Sequence, residues 1–182
     1  MSVESDRGSE WRRWDLHLHT KGTNKNDQFH ASADFDAYCV TMLKKAVDKK
    51  IAAIGITDYF SIDNYKKVVD FIANIDDRED FDADQKEFIK KILILPNVEL
   101  RMLPVTSTGK LVNIHCIFNP EIVGSLDNDF FGSIEFYDGS RSHKMNKPGL
   151  IGLGRSLDPS LTDDVAAYKK GVENFVIRRI LS

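Results

Sequence analysis

One short segment near the start of the chain carries three side chains that can bind a metal ion. Asp15, His17 and His19 are spaced two residues apart. On a β-strand this spacing projects all three from one face, so they are predicted to converge there. Imidazole and carboxylate groups are ligands for zinc and related ions. The segment therefore predicts the start of a metal site, although an exposed strand that happens to hold histidines would look the same.

The apolar patterns around this segment predict an α/β fold. The predicted elements are strands at 14–19, 51–56, 93–100, 111–118 and 134–137, and helices at 35–47, 65–72, a stretch ending near 92, and 162–176. Asp34 or Ser32 is expected to cap the first helix. Apolar strands that alternate with helices indicate parallel pairing in at least the first three strands.

The overall composition is that of a globular protein with nearly balanced charge. Of the 182 residues 42% are hydrophobic, and the formal net charge is −3. These values predict a real core and no general attraction to nucleic acid or anionic membranes. Cys39 and Cys116 lie in apolar patterns, so buried free thiols and a cytoplasmic location are expected. No apolar run is long enough to span a bilayer.

Four motifs, in order between about residues 14 and 118, resemble those of the polymerase-and-histidinol-phosphatase (PHP) superfamily. They are Asp15-Leu16-His17-Leu18-His19-Thr20, Ile56-Thr57-Asp58, Asn97-Val98-Glu99-Leu100 and Asn113-Ile114-His115-Cys116. Members of this family are mostly metal-dependent phosphoesterases built on a distorted (β/α)7 barrel. The resemblance implies an α/β fold of this TIM-like type, which the present chain would form incompletely.

The resemblance also implies roles for individual residues. His17, His19, Glu99 and His115 correspond to ligands of one to three divalent ions. Mixed imidazole and carboxylate ligands favour Zn, Mn or Fe over Mg or Ca. Asp58 follows a buried strand, where it would act in catalysis as a general base or ligand partner, or else cap the next helix.

Two departures from the PHP pattern leave activity open. The second motif of the family ends in a ligand histidine, whereas this chain has Tyr59. Its closing motifs, a further histidine and an Asp-x-His, are not completed after His143. Asp27, in the loop after the first motif, stands where other members place another ligand. The chain is therefore predicted to be a piece of a longer protein or a degenerate domain.

Three further segments resemble TrlF-type proteins, in which a PHP-like domain precedes a large AAA/ABC-like ATPase. They are residues 8–15, 56–62 and 153–164. The resemblance implies that Tyr59 is a family trait and that an ATPase domain is a partner. No glycine-rich phosphate loop occurs in the sequence, so this chain is not expected to bind ATP itself.

The chain is interpreted as one PHP-like domain over residues 1–182. A flexible lead-in is expected at 1–10, a metal-motif half at 11–120, and a less defined part at 121–182. The favoured function is hydrolysis of a phosphate ester, such as a nucleotide or nucleic acid. The alternative is a non-catalytic structural or regulatory module, or a truncated fragment, with a degenerate metal site.

Other aromatic and basic residues receive simpler interpretations. His30 and His143 are predicted to lie in exposed loops. Trp11 and Trp14 are predicted to pack their indoles against the barrel, since a short Trp and Arg cluster is weak evidence for a nucleic-acid contact.

Overall fold

A curled four-stranded sheet forms the centre of the computed structural model, which describes residues 11–25, 27–103 and 107–176. The strands are β1 (Arg13–His19), β2 (Ile51–Tyr59), β3 (Leu93–Met102) and β4 (Val112–Ile117), and they lie side by side in that order. β1, β2 and β3 are parallel. The predicted α/β class and the parallel pairing of the first three strands are confirmed. The lead-in predicted at 1–10 lies outside the described residues.

The predicted (β/α)7 TIM-like barrel of the PHP type is wrong. After β3 the chain does not cross over through a helix to another parallel strand, and β4 instead lies antiparallel to β3. Gly109, in the connection, has the positive φ of 77° that a tight reversal favours. A barrel closes when its last strand pairs with its first. Here β1 and β4 are the two edges of an open, half-barrel sheet in the described part of the chain.

Three helices connect the parallel strands and cover one face of the sheet. They are α1 (Phe35–Lys49), α2 (Asp63–Ala73) and α3 (Ala83–Ile89). The Asp34 side chain caps α1 by accepting a hydrogen bond from the Ala37 N–H, as predicted. Asp82 and Gln85 form a reciprocal capping box at the start of α3. These caps mark the residues at which α1 and α3 begin.

The two faces of the sheet differ in chemistry because side chains alternate along each strand. The face toward the helices is apolar, and Ile54, Ile56, Val98 and Leu100 on it belong to the buried core. The other face carries polar side chains on all four strands. These are His17, His19, Thr57, Tyr59, Asn97, Glu99, Arg101, Asn113 and His115. The apolar core therefore lies on one side of the sheet, and the polar face lies on the other side.

A second group of elements follows the main sheet. β5 (Glu135–Tyr137) and β6 (Ser142–Lys144) form a separate hairpin, and α4 (Lys147–Leu157) packs against α5 (Asp164–Asn174). The helices approach closely at Gly154 and Gly171, where an added Cβ would lie 1.9 Å from a carbonyl oxygen of the other helix. The sequence prediction missed β6 and α4. A signal for α4 exists in Asn146 followed by Pro148, an N-cap and an early proline.

Single helical turns fill the connections at Ile75–Asp77, Pro120–Ile122 and Asp127–Phe131, the last of which is a π-turn. None of the helices in the described ranges is long and apolar enough to cross a membrane.

The simpler interpretations have mixed outcomes. His30 is exposed, as predicted. His143 is buried, and its Nε2 lies 2.8 Å from Asp138 Oδ2, so the prediction of an exposed loop is wrong. Trp11 and Trp14 are both exposed, so the predicted packing of their indoles is also wrong.

Candidate metal centre

Three of the predicted ligands meet on the polar face of the main sheet. His17, His19 and Glu99 each offer a ligand atom, and these atoms all lie within 4.8 Å of one another. The Nε2 atoms of the two histidines are 3.1 Å apart. Glu99 Oε2 lies 3.1 Å from His19 Nε2 and 3.6 Å from His17 Nε2. Two imidazoles and one carboxylate thus face a common point, and they are called the three-residue group below.

The polar atoms of the three-residue group fit a divalent cation. Glu99 is buried, and its Oε1 accepts a hydrogen bond from Asn113 Nδ2 at 2.5 Å. Its Oε2 is buried and faces His19 Nε2 and His17 Nε2, and His19 Nδ1 is buried without a hydrogen-bond partner among the described residues. A buried carboxylate is costly unless a positive charge approaches it. The donor set, two imidazoles and a carboxylate, suits Zn, Mn or Fe.

His115 lies beside the three-residue group but outside its 4.8 Å limit. It stands directly opposite Glu99 in the β3–β4 ladder. Its ring centroid is 4.3 Å from that of His17. Burial and the nearby charge of His17 lower the pKa of His115, although Glu99 opposes this shift. The lowered pKa favours the neutral imidazole, which is the form that binds metal ions.

Tyr59 occupies the position where the PHP-like second motif would have a ligand histidine. It is buried, and its ring stacks on His19 with centroids 5.3 Å apart and an interplanar angle of 17°. Its hydroxyl contacts Glu99 and Arg101, while burial raises the pKa of Tyr59. Burial alone would raise the pKa of Glu99 too, but contacts with His19 and Tyr59 hold it below its ordinary value. Tyr59 therefore supports the Glu99 carboxylate in its ionised form.

A cation, Arg101, lies next to the three-residue group. The Arg101 guanidinium carbon is 5.1 Å from the centroid of the Tyr59 ring. Arg101 Nε is buried and has no hydrogen-bond partner in the described part of the chain. Lys25 instead donates from its Nζ to the Glu173 carbonyl at 3.1 Å, and burial and the charge of Arg101 lower its pKa. This part of the site therefore favours an anionic ligand.

Asp58 lies apart from the three-residue group. It is buried, and its Oδ1 accepts hydrogen bonds from Thr23 Oγ at 2.7 Å, from Asn24 N–H at 3.3 Å and from Tyr59 N–H at 3.1 Å. These bonds tie the loop after β1 to the end of β2. Burial raises the pKa of Asp58 to about 6 in spite of them. The alternative cap role is not seen, because Ile62 is the N-cap of α2.

Strand alternation places Asp58 on the opposite side of β2 from Tyr59, which contacts the ligand carboxylate. The structure thus brings His17, His19 and Glu99 together, puts His115 beside them, and separates Asp58 from them. The catalytic role of Asp58 stays a prediction.

The predicted convergence of Asp15 with the two histidines is wrong. The register between β1 and β2 shifts between Asp15 and Leu18, which breaks the two-residue alternation. Asp15 instead lines a cavity of about 260 Å³ under α1, together with Leu18 and Tyr38. The prediction failed because regular alternation was assumed through an irregular strand.

The Asp27 side chain stabilises a turn in the loop after β1. Its Oδ2 accepts a hydrogen bond from Gly22 N–H at 2.8 Å, and its Oδ1 accepts one from Phe29 N–H at 3.0 Å. Burial would raise the pKa of Asp27, but these two bonds together with the charges of Lys21 and His30 lower it. Asp27 is absent from the three-residue group, so its assignment as a further ligand stays a prediction.

Sequence reasoning missed Asn97, Arg101 and Asn113. Each lies two residues from Glu99 or His115 on the same strand. Because strand residues two apart share a face, this spacing was the available signal.

Comparisons of the chain with protein-family models, with curated proteins and with solved structures find no match. The chemistry of the site therefore has to be inferred from its own residues.

Proposed function

We propose that this chain is a metal-dependent phosphoesterase-like domain related to PHP proteins of the TrlF type. The observation that carries the proposal is the convergence of His17, His19 and Glu99 within 4.8 Å. This convergence brings together residues from motifs about 80 positions apart in the sequence. Two histidines that shared a strand by chance would not have a buried carboxylate from a distant motif beside them. The motif resemblance supports phosphate-ester hydrolysis as the reaction.

The three-residue group would hold a divalent ion, with Zn, Mn or Fe favoured by its ligand types. His115 stands close enough to His17 to join on a small side-chain movement. Of the one to three ions that the resemblance implies, the geometry supports at least one. When bound, such an ion activates water and neutralises phosphoryl charge.

The chain's own residues prepare the remaining parts of the site. Tyr59 and Asn113 hold Glu99 in place. Arg101 would offer positive charge to the phosphoryl oxygens of a substrate. Asp58 stays a proposed catalytic residue on the motif resemblance alone; its contacts in the structure are the hydrogen bonds it accepts from Thr23 and Asn24.

The substrate is proposed to be a phosphate ester, such as a nucleotide or nucleic acid. The net charge of −3 gives a nucleic acid no general electrostatic support. An AAA/ABC-like ATPase domain is the proposed partner, on the resemblance of residues 8–15, 56–62 and 153–164 to TrlF-type proteins. The two free thiols, Cys39 and Cys116, support the proposed cytoplasmic location.

A non-catalytic metal-binding module is the second candidate function. Tyr59 favours it, because a phenol replaces an imidazole where the PHP-like motif has a ligand histidine. The two candidates share the metal site and differ in turnover.

Metal content tests the proposal. Untagged protein is analysed by inductively coupled plasma mass spectrometry, beside His17→Ala and the matched control His30→Ala, which removes an exposed loop histidine. We expect about one equivalent or more of Zn, Mn or Fe in the parent and in the control, and a loss in His17→Ala. Hydrolysis of bis(p-nitrophenyl) phosphate should then stop when a chelator is added.

Two results would count against the proposal. A folded parent that contains no metal and takes up none when Zn²⁺ or Mn²⁺ is added would reject both candidate functions. A parent that binds metal through His17 but hydrolyses no phosphate ester would leave the non-catalytic module.

A further inference from the structure

Asn97 is a buried polar residue on the same sheet face as the candidate metal centre, and it contacts the other three strands of the main sheet. It lies on β3, two residues before Glu99, and it is 1% exposed. Its partners are the Leu16 carbonyl on β1, the Thr57 hydroxyl on β2 and the His115 ring on β4. A single amide side chain thus contacts every other strand of the main sheet.

The orientation of the Asn97 amide follows from the partners of its nitrogen. Nδ2 lies 2.7 Å from the Leu16 carbonyl oxygen, which can only accept a hydrogen bond. Nδ2 also lies 2.9 Å from Thr57 Oγ, whose own hydrogen is directed to the Gly55 carbonyl at 3.4 Å. Both amide hydrogens are therefore used, and the reversed orientation would place two oxygens in contact at the Leu16 carbonyl.

This orientation determines which nitrogen of His115 carries the proton. Asn97 Oδ1 faces His115 Nδ1 at 3.3 Å. Because an amide oxygen can only accept, Nδ1 must be the donor. In the neutral ring the lone pair then resides on Nε2, and a metal-binding histidine commonly uses its second ring nitrogen as such a donor.

The same amide restrains the backbone next to His17. The Leu16 carbonyl lies in the irregular stretch where the register of β1 shifts against β2. Gly55 leaves room for it, since an added Cβ there would lie 2.4 Å from the Leu16 oxygen. Asn97 donates to that same oxygen, so Gly55 and Asn97 both confine this irregular backbone next to His17.

We propose that Asn97 is the positioning residue of the metal centre. Its nitrogen fixes the β1 backbone that carries His17, and its oxygen selects the tautomer of His115 in which Nε2 is free to bind a metal ion. The effect on metal binding rests on the proposed function. The effect on the tautomer does not, because it belongs to the metal-free protein.

The tautomer is measured first, in metal-free protein at about pH 8, where an ordinary imidazole is neutral. Long-range proton–nitrogen correlation NMR on histidine-labelled protein distinguishes the two neutral tautomers. The His115 signals are identified by their loss in His115→Ala. We expect the proton on Nδ1 in the parent, and a mixture or the Nε2–H form in Asn97→Ala. A proton on Nε2 in the parent would overturn the proposal, whatever the protein does with metals.

Metal affinity is measured next by Zn²⁺ competition with a chromophoric chelator. Loss of a residue that orients metal ligands typically weakens affinity about 10- to 100-fold, and this loss is expected for Asn97→Ala. The matched control is Asn64→Ala, which removes another buried amide, on α2. An equal loss in both variants, or none in Asn97→Ala, would overturn the positioning role.

A second variant tests the roles of the Asn97 amide oxygen and amide nitrogen separately. Asn97→Asp keeps an acceptor for His115 Nδ1 but loses both donors. We expect the Nδ1–H tautomer to persist while the backbone amide signal of His17 shifts and Zn²⁺ affinity falls. If the parent has the expected tautomer yet no variant or parent binds metal, the proposed function fails and the tautomer assignment stands.

Discussion

Glu99 on β3 and His115 on β4 face each other directly across an antiparallel pair of strands. The same hairpin brings Asn113 onto the Glu99 carboxylate and His115 next to His17. The antiparallel strand β4 therefore places His115, and Asn113 as a partner of the Glu99 carboxylate, on the sheet without a helical crossover. This relationship explains how an open sheet assembles a candidate metal centre that the sequence prediction assigned to a barrel.

Replacing Glu99 by Gln should abolish tight metal binding. The substitution keeps the shape and the contact with Asn113 but removes the charge of the three-residue group. We expect Zn²⁺ affinity to fall by more than about 100-fold, beyond the effect typical of a residue that only orients a ligand. Competition with a chromophoric chelator measures it. The exposed Glu87→Gln on α3 is the control, and equal affinities in the two variants would contradict the assignment of Glu99.

Local patterns predicted most of the elements in the first part of the chain. β1, α1 and β2 each combine a clear apolar period with a defined start or stop, such as Asp34 before α1. The direction of β4 was not contained in such a pattern, because its apolar run looks the same in parallel and antiparallel pairing. The barrel prediction failed at this step, since it took the pairing from a family resemblance.

The candidate site was predictable where regular alternation holds. His17 and His19 do share a face, and Glu99 joins them across the sheet. Asp15 was misplaced because the irregularity of β1 depends on Gly55 and Asn97, which are distant in sequence. No local pattern reports such a tertiary restraint.

Gly55→Ala should destabilise the fold. The added Cβ would lie 2.4 Å from the Leu16 carbonyl oxygen, and a backbone atom cannot yield as a flexible side chain can. We expect a loss of about 1–3 kcal/mol in the free energy of unfolding, as for other overpacked sites. Urea unfolding measures this loss.

Gly124→Ala is the matched control for Gly55→Ala, because nothing lies within 4 Å of its added Cβ. Its stability should stay within about 0.5 kcal/mol of the parent. A Gly55→Ala protein as stable as this control would show that the β1 backbone is not confined there.

Asp58→Asn should change how stability depends on pH. Burial raises the pKa of Asp58 from 3.8 to about 6, so the folded protein holds this proton more tightly than the unfolded chain. Its contribution to stability is therefore fully present below about pH 4 and is lost as pH rises toward 6 and above. The difference between 3.8 and about 6 corresponds to roughly 3 kcal/mol.

Asparagine at position 58 cannot ionise. The free energy of unfolding of the Asp58→Asn protein, relative to that of the parent, should therefore rise by about 2–3 kcal/mol between pH 4 and pH 7.5. Urea unfolding at the two pH values gives this difference. The exposed Asp70→Asn is the control and should show little change. A difference between Asp58→Asn and the parent that is independent of pH would mean that the buried carboxyl does not titrate in this range.

Arg101→Ala should impair turnover of a phosphate ester while leaving metal content unchanged. The guanidinium lies over Tyr59, beside the three-residue group, and its Nε has no partner among the described residues. A charged hydrogen bond to phosphate is typically worth about 1.5–3 kcal/mol, so kcat/KM should fall roughly 10- to 150-fold. Arg141→Ala, an exposed arginine between β5 and β6, is the control. Unchanged kcat/KM would remove Arg101 from substrate binding, whereas a parallel loss of metal would assign it to supporting Glu99 through Tyr59.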